Sequence, residues 1–198
     1  MWHDPLGGPP VTFASHLGIQ RLGANQLALR RLWDLASLSL DQCPLGNVNF
    51  LSALTELRYL YLEHNNLSDL SLLAGLTNLE VLTTSGNPLT NAAVLGSLTN
   101  LTMLNAVSCS LTNMDFVGIL PRLATLDLSG NRIANLPPMP GLGSLQYLIL
   151  DKNRLTDISG LQGLPALTSV SVTHNLLDVS AGSPSLTIIT NLQKQSYS

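Results

Sequence analysis

Leu57-Arg58-Tyr59-Leu60-Tyr61-Leu62-Glu63-His64-Asn65-Asn66-Leu67 and Leu145-Gln146-Tyr147-Leu148-Ile149-Leu150-Asp151-Lys152-Asn153-Arg154-Leu155 are one pattern written twice. Both read Leu-x-x-Leu-x-Leu-x-x-Asn-x-Leu. The pattern starts at Leu35, Leu57, Leu79, Leu101, Leu123, Leu145 and Leu167, each 22 residues after the last. Seven starts at a fixed interval with no insertion identify an array of identical structural units, none of which can bury its leucines alone.

Within a unit two periods succeed each other. The Leu-x-Leu pair alternates with period two, so a short strand sends Leu60 and Leu62 inward and Tyr59 and Tyr61 outward. Further on, the apolar residues fall three apart, as Leu70, Leu73, Leu76 and again as Ile158, Leu161, Leu164. That spacing predicts a 3-10-like or single-turn helical return. Pro137-Pro138-Met139-Pro140, on the return of the fifth unit, reads as a stiff extended turn rather than a peptide ligand.

Position nine of the pattern holds Cys43, Asn65, Asn87, Cys109, Asn131, Asn153 and Asn175. Where the chain turns inward after the strand, backbone N–H and C=O groups are buried without a sheet partner. A carboxamide donates and accepts, so a column of Asn satisfies them from one unit to the next. Cys is smaller, has a weak S–H donor, and tolerates the slot. Three units separate the two cysteines, about 14 Å at a ~4.8 Å strand spacing, and a disulfide needs Cα atoms within ~7 Å. Two free, buried thiols are expected.

The ends depart from the pattern. Residues 1–10, rich in Gly and Pro, read as a flexible lead-in without the basic and apolar regions of a signal peptide. Residues 11–34 read as an N-terminal helical cap, with Asn25 capping a helix over Gln26–Asp34. Residues 35–188 hold the seven units, the last atypical. Ser183-Pro184 starts a C-terminal helical cap and tail over 183–198, with Leu186, Ile189 and Leu192 as its stripe.

Charged residues make up 11% of the 198 and hydrophobic ones 45%, with a formal charge of −3. That balance argues against nucleic acid and anionic membrane surfaces as partners. No run approaches the ~20 apolar residues of a membrane-spanning helix. A surface kept soluble by Ser, Thr, Asn and Gln points to an extracellular or cell-surface location, with the cytoplasm as alternative.

Residues 35–188 resemble the leucine-rich-repeat superfamily, and the 22-residue period is similar to that of bacterial internalins. The expected fold is α/β, a right-handed leucine-rich-repeat solenoid. It has a parallel concave sheet, short 3-10 or helical convex returns, and helical caps. The resemblance implies a secreted or surface-exposed bacterial module that binds a protein through the concave sheet. It implies no cofactor. A monomer is expected, with a self-assembling or spacer repeat as the alternative.

Positions three, five, seven and eight should face the concave side. Tyr59, Tyr61 and Tyr147 bring large area at little rotamer entropy. Val81, Met103, Val107 and Ile149 add an apolar stripe that the core does not require. Glu63, Asp127 and Asp151, with Asp41, give an acidic rim beside His64 and Lys152. These are the expected partner-binding residues. The bland reading is that aromatic and β-branched residues suit an exposed strand.

No catalytic set is expected. Asp41, His64 and Ser85 lie on adjacent strands, but His64 sits at position eight and the others at seven, with no evident oxyanion hole. His64 and His174 are five units apart, about 24 Å, too far to share a metal. Inward Thr84 and Ala106 break the leucine columns, and compensation by neighbours is expected rather than a ligand cavity.

Overall fold

Three residues per repeat suffice for a strand here, because each strand is paired on both sides and its central leucine is enclosed by the leucines of its neighbours. In the computed structural model, which describes residues 12–13, 35–43, 45 and 48–195, the repeat strands are β2 (Ser37–Ser39), β3 (Tyr59–Tyr61), β4 (Val81–Thr83), β5 (Met103–Asn105), β6 (Thr125–Asp127), β7 (Tyr147–Ile149) and β8 (Ser169–Ser171). They pair in parallel in chain order, with no slip. Ser37, Tyr59, Val81, Met103, Thr125, Tyr147 and Ser169 stand side by side in one row. The inward leucines from Leu60 to Leu126 are wholly buried. Each contributes roughly 1.5–3 kcal/mol relative to an exposed side chain.

An eighth strand, β1 (Thr12–Phe13), pairs with β2. It extends the sheet past the first repeat, within residues read above as helical cap. The expected helix over Gln26–Asp34, the lead-in at 1–10 and the tail at 196–198 lie outside the described residues.

The returns are 3-10 turns at Asn49–Ala53, Ser71–Gly75, Ala93–Ser97, Asp115–Ile119 and Ser159–Gly163. Several open through a side chain. Asp69, Asn91, Asn113 and Asp157 each accept the amide two residues on, at 2.8–3.3 Å. This local bond is the usual device of Asx turns. The fifth repeat has Asn135 at the matching place, but two residues on stands Pro137, which has no N–H to give. Leu136, preceding a proline, is also steered away from helical backbone. That return accordingly stays extended.

The asparagine column forms. Asn87 Nδ2 donates to Leu62 O at 2.8 Å and Thr84 O at 2.7 Å, while its Oδ1 accepts from the amides of Asn65 at 3.0 Å and Leu67 at 2.9 Å. Asn131 repeats the arrangement. At position 109 the Cys Sγ donates to Thr84 O at 3.2 Å. Burial pushes this thiol's pKa up, which keeps it a donor. Both cysteines are free, as the spacing required. Only Cys109 is buried, and Cys43 is half-exposed, contrary to expectation. Cys43 sits in the first repeat, and its amide turns back to Leu40 O at 3.3 Å instead of joining the column. Asn65 Oδ1, which would have accepted it, is left without a partner among the described residues.

Thr84 and Ala106 are fully buried beside Cys109. The Thr84 hydroxyl reaches Asn105 O at 3.5 Å and lies 4.0 Å from Cys109 Sγ. Three departures from the pattern thus meet in one place.

At the far end Ser183 caps helix α1 (Pro184–Gln195), accepting the Leu186 amide at 3.2 Å, with Pro184 at the first helical position. Ile188 is the most buried residue of its inner face, while Leu186, Ile189 and Leu192 are half-buried. The stripe is therefore centred one residue from where the spacing placed it. An apolar cleft lined by Leu167, Val170, Ile189 and Leu192 stays between β8 and α1.

Candidate protein-binding face

The concave surface is the outward row of every strand. Strand pairing ends at position five, so only positions three and five project from the strands themselves. Position seven lies just past the strand. Position eight is the left-handed turn residue: Gln42, His64, Ser108, Lys152 and His174 have φ of 54–55°, and Gly86 and Gly130 have φ of 70–71°. The reading of His64 and Lys152 as strand residues of the face is corrected accordingly. They stand on the turn at its rim, both exposed. A Cβ on Gly86 would run into the His64 imidazole, so that ring lies along the rim over repeat three.

The tyrosines and the apolar stripe fall into two groups. Tyr59, Tyr61, Val81, Met103 and Val107 occupy repeats two to four, and Tyr147 and Ile149 occupy repeat six. Between them β6 presents Thr125 and Asp127. The row is also uneven in depth. Val81, Thr83 and Ser85 point away from the core, yet they are only 5%, 7% and 8% exposed. They are flanked in register by Tyr59 and Tyr61 on one side and Met103 and Asn105 on the other, and these larger side chains cover them. Tyr147 has small neighbours, Thr125 and Ser169, and stands 49% exposed. Among the described residues it is the one large apolar side chain of the sheet face with that exposure.

Several polar members of the face also serve the scaffold. Ser129 donates both its amide, at 2.9 Å, and its hydroxyl, at 2.6 Å, to Asp127 Oδ1. Asp151 Oδ1 accepts the Ser171 hydroxyl and the Thr173 amide, each at 2.6 Å. Burial pushes the Asp151 carboxyl up, but these bonds together outweigh it and hold the pKa below the ordinary value. Ser85 Oγ donates to Asn105 Oδ1 at 2.8 Å and accepts the Val107 amide at 3.2 Å. Its proton therefore goes to Asn105 rather than to His64, which removes the geometry of a nucleophile and base. Asn105 and Thr83 carried no expectation from sequence. Their part depends on which side chains flank them across strands.

Asp41 and Glu63 behave differently from Asp151. Burial is the largest influence on both and pushes both carboxyls up. Asp41 raises Glu63 further, while His64 and hydrogen bonds pull each partly back. A carboxyl raised on folding binds more protons in the native state. Its contribution therefore favours the fold at low pH and is lost as pH rises through the native pKa. Glu63→Gln should therefore flatten the decline in thermal midpoint with rising pH, from the ordinary Glu value of 4.5 upward. Thermal melts of both chains across that range measure it, and parallel profiles would remove the effect.

Residues 121–177 match the family described as leucine rich repeat, and residues 55–97 match leucine rich repeats in two copies. No curated protein matches this chain. Among solved structures, an internalin (inlF) of Listeria monocytogenes superposes with a TM-score of 0.71 at 30% identity, over 74% of this chain and 44% of that one. Internalin C2 of the same species gives 0.66 at 31% identity, over 72% and 64%. A leucine-rich-repeat protein of Leptospira interrogans gives 0.66 at 29% identity, over 75% and 39%. This chain spans less than two thirds of the length of each of the three.

Proposed function

Since the chain belongs to the leucine-rich-repeat superfamily, with repeats resembling those of internalins, we propose that it is a protein-binding module working through its concave sheet. Proteins of this fold commonly mediate protein–protein interaction. The observation that carries the reading is Tyr147, 49% exposed on a strand row where its neighbours are small and the core makes no demand for a ring. Tyr59, Tyr61 and Met103, half-buried against the row beside them, are the second anchor group. Rings held in place before binding lose little entropy on docking. Internalin-like neighbours and a surface rich in uncharged polar side chains support a bacterial module displayed or released outside the cell. No helix of the described residues is long and apolar enough to cross a membrane.

The test is capture of partners from cell-surface extracts by wild type and by Tyr59→Ala/Tyr61→Ala/Tyr147→Ala. The tyrosines lie outside the core, so circular dichroism should show the variant folded. A partner held by wild type should be lost, with affinity reduced at least about a hundredfold if two of the three act as hot spots. Equal capture by the folded variant would remove the concave face from the mechanism.

A second reading, a unit that stacks on copies of itself, draws on the C-terminal end. There Val170 and Val172 are only half-buried, and Leu176 and Val179 are 65% and 56% exposed. It requires mass by light scattering to rise with concentration and a change of oligomeric state on Leu176→Ser. The binding reading requires a constant monomer mass.

A further inference from the structure

The first two repeats bring two carboxylates together at the concave rim and supply no Lys or Arg to neutralise them. Asp41 and Glu63 occupy position seven on adjacent turns, and the Glu63 amide donates to Asp41 Oδ1 at 2.7 Å. Both side chains are half-buried. One ion pair forms among the described residues, Arg58 with Glu80, and it stands at the opposite end of the strands. Burial and mutual repulsion disfavour the charged forms of this pair, and His64 is the one titratable group whose charge favours them.

An independent feature points the same way. Thr83 is 7% exposed, and its hydroxyl stands beside the Glu63 carboxylate, yet it makes no hydrogen bond to any described group. Buried hydroxyls are normally partnered, so one left open beside two carboxylates marks room for a donor from outside. Tyr61 neighbours Thr83 in register and lies on the same face as Glu63, two residues before it, so its ring borders the same corner.

We propose that this corner receives the guanidinium of an arginine side chain of the protein partner, held between Asp41 and Glu63 against the Tyr61 ring, with the Thr83 hydroxyl accepting a further N–H. The proposal rests on the concave sheet being the working surface. Arginine suits the site better than lysine for two reasons. Its planar fork offers five donors to two carboxylates and a hydroxyl, and its flat face stacks on an aromatic ring. The guanidinium also stays charged at any pH at which the protein folds, so the repulsion between the carboxylates is relieved only on binding.

Such a site is strained for the free protein, and that sets it apart from a structural carboxylate pair. Removing one charge should stabilise the chain while weakening the ligand. Glu63→Gln is expected to raise the thermal midpoint at neutral pH, as replacements at functional sites commonly do. Loss of a purely structural acceptor would lower it.

The binding test is an amide-shift titration of the whole 15N-labelled chain with Nα-acetyl-arginine amide at low ionic strength, with Nα-acetyl-glutamine amide as neutral control. Saturable shifts are expected at the amides of Tyr61, Glu63 and Thr83 with the arginine probe alone. In Glu63→Gln and Asp41→Asn the dissociation constant should rise roughly tenfold, and Asp127→Asn should leave it unchanged. Absence of saturable shifts at those amides would overturn the proposal, as would undiminished binding by Glu63→Gln. The titration needs no partner, so its failure is distinct from failure of the concave reading. A lost arginine response with tyrosine-dependent partner capture intact would sink only the arginine site.

Discussion

Alanine at position 87 is expected to lower the free energy of unfolding by about 3–5 kcal/mol, although it removes no charge and little apolar area. The Asn87 carboxamide is fully buried and serves four backbone groups: two carbonyls, Leu62 O and Thr84 O, and two amides, those of Asn65 and Leu67. Truncation leaves those groups in a dry interior, and each unsatisfied buried group costs about 1–3 kcal/mol before relaxation. Asn175 has the same role one repeat from the end, but it is only half-buried. Water can replace its bonds, so Asn175→Ala should cost about 1 kcal/mol. Urea unfolding of the two variants measures the contrast. Equal losses would mean that the column is not drier at its centre than at its end.

The second large effect comes from a residue with no side chain. A Cβ at Gly141 would collide with the carbonyl oxygen of Gly118 on the neighbouring return. That carbonyl belongs to the Asp115–Ile119 turn and cannot swing aside as a side chain would. Gly141→Val should therefore cost about 3 kcal/mol, the upper range for forced overpacking. For a chain of this length that is a fall of roughly 6–12 °C in thermal midpoint. At Gly75 and Gly163 a Cβ would meet nothing within 4 Å, and neither has a positive φ. Gly75→Ala and Gly163→Ala should stay within about 0.5 kcal/mol of wild type. A small effect at Gly141, equal to these controls, would show that the two returns can part freely.

What could be read in advance was whatever the 22-residue period carries. Leu60, Leu82, Leu104 and Leu126 are where the spacing put them, and the asparagine column bonds as the chemistry of a carboxamide required. Pro137 could be read too, because the missing N–H is written in the residue. The left-handed turn was harder to see. Gly86 and Gly130 share position eight and hint at positive φ, but Gln42, His64, Ser108, Lys152 and His174 stand there as well, and none of them announces it. Strand β1 escaped because Thr12 pairs with Leu38, 26 residues on, outside the period. The depth of Val81, Thr83 and Ser85 escaped for a different reason. Their cover comes from side chains 22 residues away on either hand, a property of pairs of repeats that no single repeat spells out.

The turn column has its own consequence for the rim. Five non-glycine residues keep φ near 55° because the amide of each bonds across to the next repeat or is fixed by its neighbours, as His64 N is to Ser85 O at 2.8 Å and Lys152 N to Thr173 O at 2.8 Å. Left-handed backbone disfavours most side chains by roughly 1 kcal/mol. A glycine at His64 or Lys152 should therefore be tolerated by the fold.

The unslipped register makes the sheet a ruler graduated in whole strands. Tyr59 and Tyr147 stand in one row four strands apart, about 19 Å at ~4.8 Å per strand. Because every repeat has the same length, loss or gain of one unit between them would move the two rings by one graduation and leave their heights and directions unchanged. The separation of the anchors can change only in steps of about 4.8 Å. A lineage building on this scaffold could fit larger or smaller partners by counting repeats, without redesigning either contact.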